Sequence, residues 1–219
     1  LSIARALAEL YRVAATPEDL ARAVGRAKRS AVGTWTFAGG GFVVEGGRRL
    51  GHDDDVGPLL ARQPLPSSWR CVLAVPDSAP GVSGAMEAQA FAELPVPDER
   101  DVERVSHLVL MGMLPSVIEG DLETFGAALS EVQEINGRWF SHAQGGMFAP
   151  GPSAEIIRLM RDSGAPGVGQ SSWGPSVYAI VDGDDAAASL SKRIRDRYDH
   201  RVSVYAGAFP SAGSVFSRG

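Results

Sequence analysis

Pro95 and Pro97 separate two stretches of different hydrophobic periodicity, and that change restricts the fold more than any other feature of the chain. Beyond Asp98 apolar residues recur at helical spacing. Val102, Val105, Leu108, Val109, Met113 and Val117 predict one long helix, bent near Pro115 because proline has no N–H for the helical ladder. Asp121 is placed to cap a second helix, with Leu122, Phe125, Leu129 and Val132 on one face. Ser153 is placed to cap a third, carrying Ile156, Leu159 and Met160 and stopped by Gly164. A glycine-rich loop, a strand from Val177 to Val181, an Asp182-Gly183 turn, a helix through Leu190 and Ile194 and a strand from Arg201 to Tyr205 complete this half. Helices and strands alternate without a strict βαβ rhythm. The pattern predicts an α+β fold whose second half is a split β-α-β arrangement.

Before Pro95 the elements are shorter. Ile3, Leu7, Leu10 and Tyr11 form an apolar stripe at helical spacing. Thr16-Pro17-Glu18-Asp19 is a helix start, with a threonine cap, proline in the first turn and acids beside the positive helix end. Leu20, Val24 and Ala27 then face inward, and the helix is expected to end at Lys28-Arg29-Ser30. Gly39-Gly40-Gly41 leads into a strand at Phe42-Val43-Val44, residues 51–68 read as a polar loop, and Trp69 to Val75 as a buried strand. A short helix is expected around Met86–Phe91. The expected domains are therefore 1–95 and 96–219.

With 44% hydrophobic and 21% charged residues the chain can build a core and is not a disordered tail. A net charge of −5 argues against nucleic acid as a partner, because neutralising phosphates needs a basic face. No apolar run reaches the roughly 18–20 residues of a membrane span, so no membrane association is expected. Cys71 is the single cysteine, which leaves no intramolecular disulfide and fits a reducing cytoplasm. The chain begins at Leu1, already in helical register, so further residues are expected to precede it.

Three segments hold side chains suited to chemistry. Gly167-Val168-Gly169-Gln170-Ser171-Ser172-Trp173-Gly174-Pro175 sets glycines, serines and an amide between a helix and a strand. Glycines let backbone N–H groups approach an anion, and the hydroxyls add donors. The residues alone fit a phosphate or carboxylate cradle and a tight turn equally. The segment is neither a Walker loop, lacking Lys-Ser/Thr, nor a dinucleotide fingerprint, since it runs from helix to strand. Gly25-Arg26-Ala27-Lys28-Arg29-Ser30-Ala31-Val32-Gly33-Thr34 holds three cations, which suit either helix C-terminal capping or an oxyanion clamp. Gln144-Gly145-Gly146 offers an amide for a substrate or for a turn. His142 has no Ser/His/Asp spacing around it, and His52-Asp53-Asp54-Asp55 reads as an exposed loop more readily than a metal site. Capping accounts for Asp121 beside Glu119.

Taken in chain order, several segments carry a resemblance: residues 25–34, Phe37 with Gly40-Gly41-Phe42-Val43-Val44, Leu114-Pro115 with Glu119-Gly120-Asp121, Phe125-Gly126, Gln144-Gly145-Gly146 and, most strongly, residues 167–175. Together they resemble the β-ribofuranosylaminobenzene 5′-phosphate synthase family, a branch of the GHMP kinase superfamily. The resemblance implies the superfamily's two-domain α+β architecture. Its first domain would be incomplete here and like the second domain of ribosomal protein S5; the other would be the GHMP C-terminal domain. It implies a pentosyltransferase of methanopterin-type one-carbon carrier synthesis. Such an enzyme joins 5-phosphoribosyl 1-diphosphate to 4-aminobenzoate or 4-hydroxybenzoate, with pyrophosphate and carbon dioxide leaving. Magnesium on the diphosphate and a homodimer are also implied.

Combined with the residue readings, this gives Lys28, Arg29, Ser30, Gln144, Gly167, Gly169, Gln170, Ser171, Ser172, Trp173 and Gly174 as candidate substrate-binding residues. Lys28, Arg29 and the 167–174 segment would face phosphate, and Trp173 would stack on the acceptor ring. Catalytic residues and metal ligands are not assigned. The superfamily's glycine- and serine-rich phosphate loop, which stands just before a helix like that at 1–11, is not in this sequence. Two other classes remain open: an ATP-dependent GHMP kinase and a non-catalytic binding fragment. Many kinases of the superfamily carry an aspartate in the segment corresponding to residues 28–41, and this chain has no Asp or Glu there.

Overall fold

The computed structural model describes residues 1–28, 30–49, 52, 55–77 and 84–217. They form two units, residues 1–65 with the C-terminal stretch from Phe209, and Pro66–Ala208.

The first unit contains α1 (Ser2–Leu10), α2 (Pro17–Ala23), α3 (Val32–Gly39), β1 (Phe42–Glu45) and β2 (Leu59–Gln63). The capping box of α2 forms as its sequence predicts: the Asp19 N–H donates to the Thr16 hydroxyl, and the Thr16 N–H donates to the Asp19 carboxylate at 3.0 Å. The helix stops at Ala23, earlier than expected, because Gly25 and Ala27 take positive φ values of 65° and 59°. Val24 is therefore exposed while Leu20 and Ala27 are buried. Ala21, Ala27, Ala31 and Trp35 form this unit's core, with Val43, Val56 and Leu59 packed against it. The Trp35 indole donates to the Gly57 carbonyl at 2.8 Å. Within the 51–68 stretch read as a loop, Leu59–Gln63 pairs antiparallel with β1. The apolar stripe of α1 forms, but Ile3 and Tyr11 stay 77% and 72% exposed. The C-terminal stretch returns to this unit, where the Gly41 N–H donates to Pro210 O and the Ser214 N–H to Phe37 O.

The second unit is built on β3 (Trp69–Pro76), β4 (Gly167–Gln170), β5 (Val177–Asp182) and β6 (Val202–Ala208), in the antiparallel order β4-β5-β3-β6. Its helices are α4 (Gly84–Glu93), α5 (Glu99–His107), α6 (Leu114–Glu119), α7 (Leu122–Gln144), α8 (Ser153–Asp162) and α9 (Gly183–Tyr198). β5 and β6 flank β3 and are joined through α9, which is the split β-α-β arrangement expected. One face of the sheet packs Val72, Ala74, Val168 and Val177 against Ile156, Met160, Leu190 and Ile194. Because β3 pairs with both β5 and β6, the units divide at Leu65/Pro66 and not at the expected 95/96.

Residues 99–119 run as one helical stretch, with a π-helical segment at Leu108–Met113 just before Pro115. The widened turn falls where the proline N–H is missing from the helical ladder. Asp121 caps α7 by accepting from the Thr124 N–H at 3.0 Å. Ser153 is not the cap of α8. That position is Pro152, and the Ser153 hydroxyl, fully buried, donates to the Pro175 carbonyl at 3.0 Å.

Candidate functional site

Half of the glycine-rich segment is a buried strand. Gly167–Gln170 is β4, at one edge of the sheet. The N–H groups along that edge are taken: Val168 donates to the Ser130 hydroxyl at 3.1 Å and Gln170 to the Gln133 amide oxygen at 3.0 Å, both on α7. The glycines serve close approach. A Cβ on Gly167 would lie 2.8 Å from the Gly126 Cα, and one on Gly169 would lie 2.6 Å from the Gln133 Cγ. Gly167 and Gly169, expected to free amides for an anion, instead let α7 cross directly over β4.

The turn beyond β4 is held from below by an amide network. Gln144 and Gln170 are 7% and 6% exposed, so their polar groups need protein partners. The Gln170 Nε2 donates to Gln144 Oε1 at 3.2 Å and to the Ser172 carbonyl at 2.9 Å, while its Oε1 accepts from the Ala149 N–H at 2.6 Å. Gln144 Nε2 donates to Met147 O at 2.9 Å. Both amides thus position the turn. Gly174, at φ 68°, packs where a Cβ would meet the Ala149 Cβ at 2.6 Å. The Gly174–Pro175 peptide is cis. Ser171 and Ser172 remain exposed on this fixed base.

Trp173 points inward and is 3% exposed. Its ring lies 4.6 Å from Phe140 and 5.4 Å from Phe91, centroid to centroid, and Phe140 stacks on Trp139 at 5.0 Å. The ring expected to stack on an acceptor is already packed against protein aromatics. Its Nε1–H is enclosed without a hydrogen-bond partner.

The cationic segment belongs to the first unit. Lys28 is exposed and its chain folds back towards Gly25. Arg29 lies outside the described residues, as do Asp53 and Asp54 of the acidic loop. Ser30 accepts from the Val32 N–H at 3.3 Å, and the Glu45 carboxylate accepts from the Ala31 N–H at 2.8 Å. Together they satisfy the first donors of α3, a helix without a cap signal in its own sequence. Arg26, Ser30, Gly33 and Thr34 line a cavity of about 350 Å³ beside this helix end. Thr34, 3% exposed, belongs to the segment read from the sequence but is not among the candidate substrate-binding residues; a hydroxyl among small residues gives no signal until the helix buries it.

The structure thus brings Gln144, Gln170, Ser172, Trp173 and Gly174 together in the second unit, and sets Lys28 and Ser30 in the first. A further groove of about 370 Å³, lined by Pro95, Pro97, Val102, Val105, Arg138 and Trp139, contains none of the candidate substrate-binding residues. Among the described residues no three His, Cys, Asp or Glu side chains could hold one metal ion. Burial pushes the Cys71 thiol up, and burial, with the nearby Cys71 adding, pushes the Tyr178 phenol up. No helix among the described residues is long and apolar enough to cross a membrane.

Residues 113–200 match the family described as GHMP kinases C terminal. The chain is 37% identical over 193 residues to the β-ribofuranosylphenol 5′-phosphate synthase of Methanothermobacter thermautotrophicus, covering 83% of this chain and 57% of that protein. It is 36% identical over 209 residues to the protein of the same name from Archaeoglobus fulgidus, covering 90% of this chain and 62% of the relative. The chain therefore spans about 60% of the length of these relatives. Among solved structures it is similar to homoserine kinase from Cytophaga hutchinsonii, with TM-score 0.67 and 19% identity, over 94% of this chain and 62% of that one. Mevalonate kinase from L. major, in complex with R-mevalonate, aligns with TM-score 0.59 and 20% identity, over 95% and 63% of the two chains. These structural likenesses establish the fold alone. Residues 113–200 thus match the GHMP kinase C-terminal model on a mixed α and β architecture, and the chain is similar to the β-ribofuranosylphenol 5′-phosphate synthases over about 60% of their length.

Proposed function

We propose that the full-length protein is a decarboxylating pentosyltransferase that joins 5-phosphoribosyl 1-diphosphate to 4-hydroxybenzoate, in the synthesis of a methanopterin-type one-carbon carrier. The observation that carries this reading is the similarity, over 83% of the chain, to a protein whose name states a ribofuranosyl group, a 5′-phosphate and a phenol. A phenol in the product favours 4-hydroxybenzoate over 4-aminobenzoate as acceptor. The absence of any Asp or Glu between residues 28 and 41 supports transfer to carbon, since no hydroxyl nucleophile has to be deprotonated there.

In this reaction the ribose C1–oxygen bond breaks and its electron pair leaves with pyrophosphate. The ring carbon bearing the carboxylate supplies the pair for the new carbon–carbon bond to C1. The bond to the carboxylate then breaks, its pair restores aromaticity and carbon dioxide departs. Charge builds on the leaving phosphates, so donors aimed at them lower the barrier. By charge, Lys28, Arg29 and Arg26 are suited to that role. Magnesium would arrive on the diphosphate, since it commonly rides on substrate phosphates. No step is assigned to it.

The test is pyrophosphate release by the full-length protein. It should require both phosphoribosyl diphosphate and 4-hydroxybenzoate. Consumption of ATP with small alcohols, and none of phosphoribosyl diphosphate, would establish a kinase instead.

A further inference from the structure

We propose that the Trp173 indole N–H is a ligand donor, kept under cover by α4, and that it receives the carboxylate of a planar aromatic acid. This rests on the reading above that the acceptor is such an acid. The starting point is the orphaned donor. Trp173 Nε1 is enclosed and has no hydrogen-bond partner, whereas the buried amides that hold its turn, Gln144 and Gln170, are engaged. A buried donor left unmade is costly and rare in native proteins, and such groups persist where another state of the molecule uses them.

The cover is light. None of the described side chains of α4 is buried, and Met86 is 70% exposed. Its Phe91 meets Trp173 edge-on at 5.4 Å, at an interplanar angle of 81°, and Phe140 edge-on at 5.9 Å. Elements with so little buried surface open at low free energy. The Phe91 ring therefore occupies a place that another aromatic ring would fill equally well, with Phe140 and Trp173 as walls. A benzoate ring there would bring its carboxylate within reach of the indole N–H, making a charge-assisted hydrogen bond that Phe91 cannot supply. The exposed Ser171 and Ser172 stand on the same turn.

The experiment measures binding of benzoate and of phenol to the full-length protein, to Trp173→Phe and to Phe91→Ala, by calorimetry. Trp173→Phe keeps an aromatic ring at this position and deletes the N–H together with part of the indole. It should bind benzoate at least tenfold more weakly and bind phenol within about twofold of the parent. Phe91→Ala should bind benzoate more tightly, because the covered state no longer competes. The proposal is overturned by benzoate affinity in Trp173→Phe within twofold of the parent, or by a parent that binds no benzoate. Should Trp173→Phe fail to fold, Phe91→Ala decides, and unchanged or weaker benzoate binding overturns the proposal. Turnover separates this proposal from the synthase reading. Trp173-dependent benzoate binding without pyrophosphate release would leave the donor standing and remove the synthase. Normal turnover with an unchanged KM for 4-hydroxybenzoate in Trp173→Phe would do the reverse.

Discussion

Replacing Gly126 by alanine sets two opposing effects against each other within one methyl group. Gly126 lies inside α7, where alanine is favoured over glycine by roughly 1 kcal/mol. On helix propensity alone the substitution stabilises. The structure places the new Cβ 2.3 Å from the Pro166 carbonyl carbon and 2.6 Å from the Gly167 N, and both are backbone atoms that no rotamer change can move. Ordinary carbon contacts lie at about 3.5–4.0 Å, so α7 and β4 have to separate by more than about 1 Å. That movement stretches the bonds from Val168 N to Ser130 and from Gln170 N to Gln133, now 3.1 and 3.0 Å, beyond useful length. Each donor left unsatisfied costs about 1–3 kcal/mol. The net effect is a destabilisation of about 2 kcal/mol or more, which lowers the melting temperature by roughly 4–8 °C for a chain of this size. Gly33→Ala is the control, because a Cβ at Gly33 in α3 meets nothing within 4 Å. It should be neutral or raise stability by up to about 1 kcal/mol. Urea and thermal unfolding measure both variants. A Gly126→Ala protein as stable as the parent, or more stable, would refute the close crossing and return the glycines of β4 to a ligand-binding role.

Gln170→Ala should destabilise by about 1–3 kcal/mol, because the buried Ala149 N–H loses its acceptor. Accelerated hydrogen exchange at Ala149, ahead of exchange in α9, is the specific sign. The Thr124 hydroxyl, followed by the Thr124 N–H, holds the Asp121 carboxyl below the usual carboxylate range. A depressed folded-state value means that this contribution is complete above the unfolded value of about 4 and is lost as pH falls through the folded one. Urea midpoints taken between neutral pH and pH about 3 should therefore fall less steeply in Asp121→Asn than in the parent. Arg29→Ala should reduce turnover of the full-length protein by about 100-fold or more, the scale of one donor to developing charge. Near-normal turnover in steady-state assays removes Arg29 from the phosphate site.

Capping chemistry made α2 and α7 readable before any coordinates, since Thr16, Asp19 and Asp121 act on N–H groups within three residues of themselves. α3 was not readable, because its first N–H groups depend on Ser30 and on Glu45, and Glu45 lies fourteen positions from Ala31. β2 was hidden for a related reason. Its exposed side carries Leu60 as well as Arg62 and its half-buried side ends in Gln63, so no alternation marks it, and only pairing with β1 makes Leu59–Gln63 a strand. The glycines of residues 167–169 show a more general limit. A glycine signals that something comes close to the backbone, but whether a ligand or a helix does so depends on the distant Gly126. Trp173 was legible as a residue of consequence and illegible in its placement, because inward or outward orientation depends on Phe91 and Phe140, far from it in sequence.

The central claim is the transfer of a ribosyl phosphate to ring carbon with loss of the acceptor's carboxylate. It is tested most directly by incubating the full-length protein with phosphoribosyl diphosphate and 4-hydroxybenzoate labelled in the carboxyl group. One labelled carbon dioxide should form for each pyrophosphate released. Pyrophosphate release with all of the label retained in the product would overturn it, because the ribose would then not have gone to the carboxyl-bearing carbon.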